Sequence, residues 1–128
     1  MKNFLRPIFT VILAALLVMS AGVPSDAVAG ARPGAYDGNW SVVIYTLQGD
    51  CDRSLRYSLQ IVDSQVQAGE QSYRAAGKVA PNGEIRVVVA EGGRTASGIG
   101  RLAGNSGRGQ WRTSTGQCAG QWTAVRRG

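Results

Sequence analysis

The chain contains no histidine. That removes the general base of Ser-His-Asp and Cys-His catalysis, the imidazole ligands of zinc sites and the commonest axial ligand of haem. Its two methionines, Met1 and Met19, both fall within the first 29 residues, so Met ligation of haem is missing from everything that follows. Lys78 is the single lysine after residue 29, and a Ser-Lys dyad would have to use it. It stands on the outward side of an alternating segment, which speaks against that role. Acidic residues stop at Glu91. After residue 29 no segment shows a helical period, and none is an apolar run long enough to span a membrane.

The first 29 residues have the layout of an export signal. Lys2 and Arg6 precede an uncharged apolar run, Ile8 to Gly22, and Ala27-Val28-Ala29 supplies small residues where a signal peptidase reads. Cleavage is expected after Ala29, the alternative being an uncleaved anchor. No cysteine follows the apolar run as a lipoprotein attachment site would require. The expected destination is the periplasm or the medium. The remaining 99 residues make one domain with one modest core. Residues 30–37, opening Gly30-Ala31-Arg32-Pro33-Gly34-Ala35, are expected to form a flexible leader, and residues 38–128 the folded domain.

Two cysteines remain, Cys51 and Cys118. In an exported chain of this size an even count implies a disulfide; the alternatives are a bridge between chains or two free thiols. The segment between them is almost wholly strand-like. Residues 55–61 alternate apolar and polar, residues 72–79 do so again, and Ile85, Val87 and Val89 share one face. Turn signals recur about every 10 to 12 residues, led by Pro81-Asn82-Gly83 and Gly92-Gly93. Asn82-Gly83 is expected to form a type I′ turn. Eight strands follow, at about 38–47, 55–62, 65–68, 72–80, 84–91, 95–103, 107–113 and 118–126. In an up-and-down meander an even strand count puts both cysteines at one end. The disulfide therefore favours an all-β, eight-stranded antiparallel barrel, closed with the last strand beside the first.

Three Gly-x-Trp units mark the first and the last two strands: Gly38-Asn39-Trp40, Gly109-Gln110-Trp111 and Gly120-Gln121-Trp122. Trp40, Trp111 and Trp122 are expected to gather into one aromatic cluster closing a barrel end, each ring lying where a glycine leaves a face empty; the alternative is an aromatic platform for a ligand. Gly98-Ile99-Gly100-Arg101-Leu102-Ala103 has the form of a dinucleotide-binding fingerprint. No helix follows it and no acid lies about 20 residues on, so Gly98 and Gly100 are better explained as thinning one face of a strand, making room for a facing Trp or a barrel bend.

Charge is distributed unevenly. Residues 30–91 net −1, whereas residues 92–128 carry six Arg and no acid. Arg101, Arg108, Arg112 and Arg127 are the candidate anion-binding residues, since a guanidinium meets carboxylate, phosphate or sulfate with a planar fork. Paired carboxylates of the glycosidase kind are not evident: Asp50 and Asp52 flank Cys51 on a loop, and Glu84 and Glu91 stand at opposite ends of one strand. Tyr36, Tyr45, Tyr57 and Tyr73 remain as potential haem ligands, but the last three lie in strand patterns.

The frame of Asp37-Gly38-Asn39-Trp40, Cys51-Asp52-Arg53, Gly100-Arg101-Leu102, Gly109-x-Trp111 and Cys118-x-Gly120-x-Trp122-x-Ala124-x-Arg126 resembles a group of small exported, mostly uncharacterised proteins of Gram-negative bacteria. Some of them are labelled "large exoprotein involved in heme utilization or adhesion". The likeness covers nearly all of the chain after residue 29 and implies an adhesion-type role. More loosely, an opening Gly-x-Trp, a small eight-stranded barrel and one disulfide are similar to periplasmic metalloprotease inhibitors, avidins and lipocalins. The first of these implies that the leader enters a protease.

The expectation is an exported, non-enzymatic binding module without a cofactor. Its Arg-rich face would meet acidic surface polymers such as acidic polysaccharide or lipopolysaccharide, with no sequence-specific nucleic-acid role. The alternatives are a periplasmic protease inhibitor acting through its leader, and a carrier of a small ligand inside the barrel.

Overall fold

In the computed structural model, which describes residues 34–128, the alternating segments become eight strands. They are β1 (Gly38–Gln48), β2 (Ser54–Val62), β3 (Gln65–Ala68), β4 (Arg74–Val79), β5 (Glu84–Glu91), β6 (Arg94–Ala103), β7 (Ser106–Thr113) and β8 (Ala119–Arg126). Each pairs antiparallel with its sequence neighbour, and β1 also pairs with β8, so the sheet closes into an up-and-down barrel. Closure leaves no strand at a free end of the sheet, although short β3 pairs with only residues 59–62 of β2, so the first half of β2 lacks a ladder partner on that side. The expected signal peptide lies outside the described residues, as do residues 30–33 of the leader.

Alternation decides which side chains enter the core. Leu59 and Ile61 on β2, Val66 on β3, Val79 on β4, Ile85 on β5 and Leu102 on β6 are all buried, and their neighbours face water. Cys51, in the β1–β2 loop, is bonded to Cys118, just before β8, with Cα atoms 6.1 Å apart. The bridge sits at the barrel end where β1 finishes and β8 begins, as the strand count required. We call this the upper end.

Turns follow local chemistry. Asp63 and Ser64 both have positive φ, as a two-residue type I′ hairpin demands. The Asp37 carboxylate accepts hydrogen bonds from both of their amides, at 2.8 and 3.0 Å. Gly92 and Gly93 form a second hairpin with both φ positive. The Asn82-Gly83 turn differs from expectation: only Gly83 has positive φ, and its amide donates to the Ala80 carbonyl. Pro81 holds φ near −65°, which suits the first central position of a type I turn and leaves the left-handed residue to the glycine.

The lower end is closed by the chain that enters β1. Residues 34–37 were expected to belong to a flexible leader, but they form a turn in which the Asp37 amide donates to the Gly34 carbonyl. Arg126 holds this turn in place. Its Nη1 donates to the Ala35 and Asp37 carbonyls, at 3.1 and 2.9 Å, and its Nη2 to the Gly104 carbonyl. Its Nε donates to Asn105 Oδ1, and the guanidinium lies 5.2 Å from the centroid of the Trp40 ring. A fork of five donors can satisfy this many carbonyls at once. Arg126 is therefore a plug in the barrel floor, not a member of an anion-binding face.

Candidate functional site

Strands β4 to β8 present their polar side to solvent, and register fixes which charges meet. Arg101 on β6 lies directly opposite Arg108 on β7. Lys78 on β4 lies directly opposite Arg86 on β5. All four are exposed. Like charges placed opposite one another destabilise a sheet, and here two such pairs share one face. Glu84 is the acid among them. Its carboxylate bridges Arg101 at 3.2 Å, the one ion pair among the described residues, and leaves Arg108 without an acidic partner.

The two pairs belong to adjacent rows across the barrel. One row runs Lys78, Arg86, Ile99, Gln110, Gln121; the next runs Glu84, Arg101, Arg108, Thr123. Between them runs an open groove of about 820 Å³, lined by Arg86, Arg101, Arg108, Gln110, Gln121 and Thr123 among others. The guanidinium groups offer planar forks for carboxylate, sulfate or phosphate. The facing amides of Gln110 and Gln121 offer both donors and acceptors. No aromatic side chain faces outward in these two rows, so the face has no platform on which bases would stack.

Of the four arginines read from the sequence, three share this side of the barrel. Arg101 and Arg108 are direct partners, and Arg112 stands further up β7, exposed and opposite Ser97. Arg127 does not join them. It lies past the end of β8, where its amide donates to the Asn39 carbonyl, beside a separate groove with Ser41, Ser58 and Gln60. Lys78 and Arg86 take its place. They were hidden in the half of the chain that nets −1, because most acids of that half sit in loops and turns while its strands carry the cations outward.

The three tryptophans are all buried but do not form one end plug. Trp40 lies at the lower end beside Arg126, and its Nε1 donates to the Tyr36 carbonyl. Trp122 pairs with Ile44 and Gly109 and donates to the Ile99 carbonyl. Trp111 is nearest the upper end and donates to the Tyr45 carbonyl. Trp40 is the third residue of β1, Trp122 the fourth of β8 and Trp111 the sixth of β7, so pairing sets them at successive levels of the barrel. The reading of a facing Trp is borne out at Gly100, where a Cβ would lie 2.5 Å from the Trp122 ring; at Gly98 the tight neighbour is Val87 Cγ1, at 3.1 Å, and Trp122 Nε1 is in ordinary contact at 3.5 Å.

No protein-family model matches this chain, and no curated protein matches it.

The interior itself has little free space. A cavity of about 50 Å³ runs among apolar side chains, including all three tryptophans. That is room for one or two waters but with few polar partners to hold them. A haem-sized ligand would have to displace the core. Among the described residues no group of three or more His, Cys, Asp or Glu side chains is placed to hold a metal ion.

Tyr57 and Tyr73 meet edge to face inside the wall, with centroids 5.0 Å apart. Both phenols are shifted above their usual pKa. Burial is the main cause for Tyr57, followed by the nearby charge of Glu91, whose carboxylate accepts the phenol's hydrogen bond at 3.3 Å. Burial also dominates for Tyr73, partly offset by its hydrogen bond to the Ser58 backbone.

Proposed function

We propose that this protein is an exported, non-enzymatic binding module whose β4–β8 outer face holds acidic surface polysaccharide. The observation that carries the reading is the pairing of Arg101 with Arg108 and of Lys78 with Arg86 directly across neighbouring strands. Such an arrangement costs stability when empty, and an anion lying between the rows offsets the repulsion. The groove with Gln110 and Gln121 suits a sugar chain, whose hydroxyls need donors and acceptors beside the anion site. The export signal in the sequence and the disulfide agree with work outside the cytoplasm.

The test is binding of the oxidised protein to polyuronate, to lipopolysaccharide and to duplex DNA across a salt series. Affinity for polyuronate should fall steeply with salt, as charge-driven binding to a polyanion does. The double variant Arg86→Ala/Arg108→Ala should weaken it, and Arg127→Ala should not. Absence of polyuronate binding at low salt, or equal loss in the Arg127 variant, would overturn the reading. Tighter binding to DNA than to polyuronate at equal charge density would reassign the face to nucleic acid.

A further inference from the structure

The two ends of the barrel are finished differently, and the upper one has features of a ligand site. At the lower end Trp40, Arg126 and residues 34–37 close the interior. At the upper end, among the described residues, the inward-facing apolar side chains stay open to water. Leu55, opposite Ile44 on the inner side of the wall, is 40 % exposed. Ile44, Tyr57, Val89 and Ala96 are only half-buried. Together with Trp111 they line a cleft of about 380 Å³. Volumes of that order are typical of small-molecule sites, and a ring-shaped mouth this small cannot supply the area that a stable protein interface buries.

Charge at the mouth selects the ligand. Asp50 and Asp52 reach it from the β1–β2 loop, Glu91 from the end of β5, and Arg94 from the start of β6. Three carboxylates stand against one guanidinium. Glu91 and Arg94 are cross-strand partners, yet they form no ion pair. The Glu91 carboxylate instead takes the Tyr57 hydroxyl and keeps acceptor capacity toward the cleft. A low-dielectric mouth where one sign of charge predominates concentrates the opposite sign. A cation placed here meets Glu91 while its apolar body covers Leu55 and Ile44, and the ring of Tyr57 offers a cation–π face.

We propose that the upper mouth of the barrel binds a small organic cation with an apolar body, an aryl- or alkylammonium. This site is separate from the basic outer face and does not depend on the polymer reading.

The test is a tryptophan-fluorescence titration of the oxidised full chain with three probes of one shape: phenethylammonium, 2-phenylethanol and phenylacetate. Trp111 at the cleft wall is the reporter. The ammonium should bind about ten-fold more tightly than the alcohol, the size of one charge-assisted hydrogen bond, and phenylacetate more weakly than either. Glu91→Gln should bring the ammonium down to the alcohol's affinity and leave the alcohol unchanged. Asp52→Asn, on an exposed loop, should reduce the same preference. Equal binding of all three probes, preference for phenylacetate, or no response to the ammonium up to tens of millimolar, a range weaker than any useful ligand, would overturn the proposal.

Discussion

Gly109 on β7 and Trp122 on β8 are direct cross-strand partners, and the indole fills the space that a side chain at position 109 would occupy. A Cβ at Gly109 would fall closest to the Ile99 carbonyl oxygen on β6, in a clash, and would lie 2.6 Å from Cε2 and Cζ2 of that ring. In an open strand Gly→Ala gains stability through lower unfolded-state entropy. Here overpacking reverses the sign, and Gly109→Ala should cost about 1–3 kcal/mol. The neighbouring Gln110→Ala, which points outward, should change stability by no more than about 0.5 kcal/mol. Urea unfolding of the two variants checks this; a stabilised Gly109→Ala variant would show that both the ring and the β6 backbone at Ile99 give way.

Arg126 ties the chain entry to the barrel floor through four acceptors and the Trp40 ring. Arg126→Ala should cost about 3 kcal/mol, since bonds to charged donors exceed neutral ones and several carbonyls lose their partner together. Arg126→Lys should rescue little, because a point charge cannot reach four acceptors spread around a planar fork. Limited proteolysis supplies a second readout: cleavage near residues 34–37 should rise in both variants before the barrel itself becomes sensitive.

The fold was legible because strand alternation, turn residues and the parity of the disulfide all point to one topology. Each of the eight strands falls within two residues of its expected bounds. The site was legible only in part. Outward Arg101, Arg108 and Arg112 follow from period-two alternation, but which cations oppose one another depends on register between strands, and that is set by the turns. Lys78 and Arg86 were obscured for this reason. Arg126 is a residue the sequence left without a role: alternation turns it inward, but its partners are carbonyls of residues 35, 37 and 104, which no local pattern brings together. The level of each tryptophan likewise depends on inter-strand register and not on the Gly-x-Trp spacing.

The Cys51–Cys118 bond closes a sequence separation of 67 residues at the upper end. Reduction, or Cys51→Ser/Cys118→Ser, should lower stability by about 4 kcal/mol, the chain-entropy value for a loop of this length. The β1–β8 ladder runs from Trp40 to Gln48 independently of the bridge, so the reduced protein should keep its strand circular dichroism while its denaturant midpoint falls. A midpoint unchanged by reduction would mean that the unfolded chain is already compact around this pair.

Alkaline pH should destabilise the protein through two phenols, half-buried Tyr57 and buried Tyr73. Burial first, then the Glu91 charge and hydrogen bond, raise Tyr57 above the ordinary value of 10.0; burial raises Tyr73 likewise. In the unfolded chain both ionise near that ordinary value, while the folded chain keeps their protons. Above it the unfolded state binds fewer protons than the native state, so unfolding stability falls with rising pH. The contribution is complete below about pH 10 and is lost as pH climbs through the higher folded values. Thermal melts from about pH 8 to about pH 11 should therefore be level at first and then decline. Absorbance titration at the phenolate band should show a late-ionising component in the native protein that disappears in Tyr57→Phe/Tyr73→Phe. That variant loses the hydrogen bonds to Glu91 and Ser58 and should be less stable at neutral pH, but its decline with pH should be shallower. An equal slope in the two proteins would place the alkaline sensitivity elsewhere.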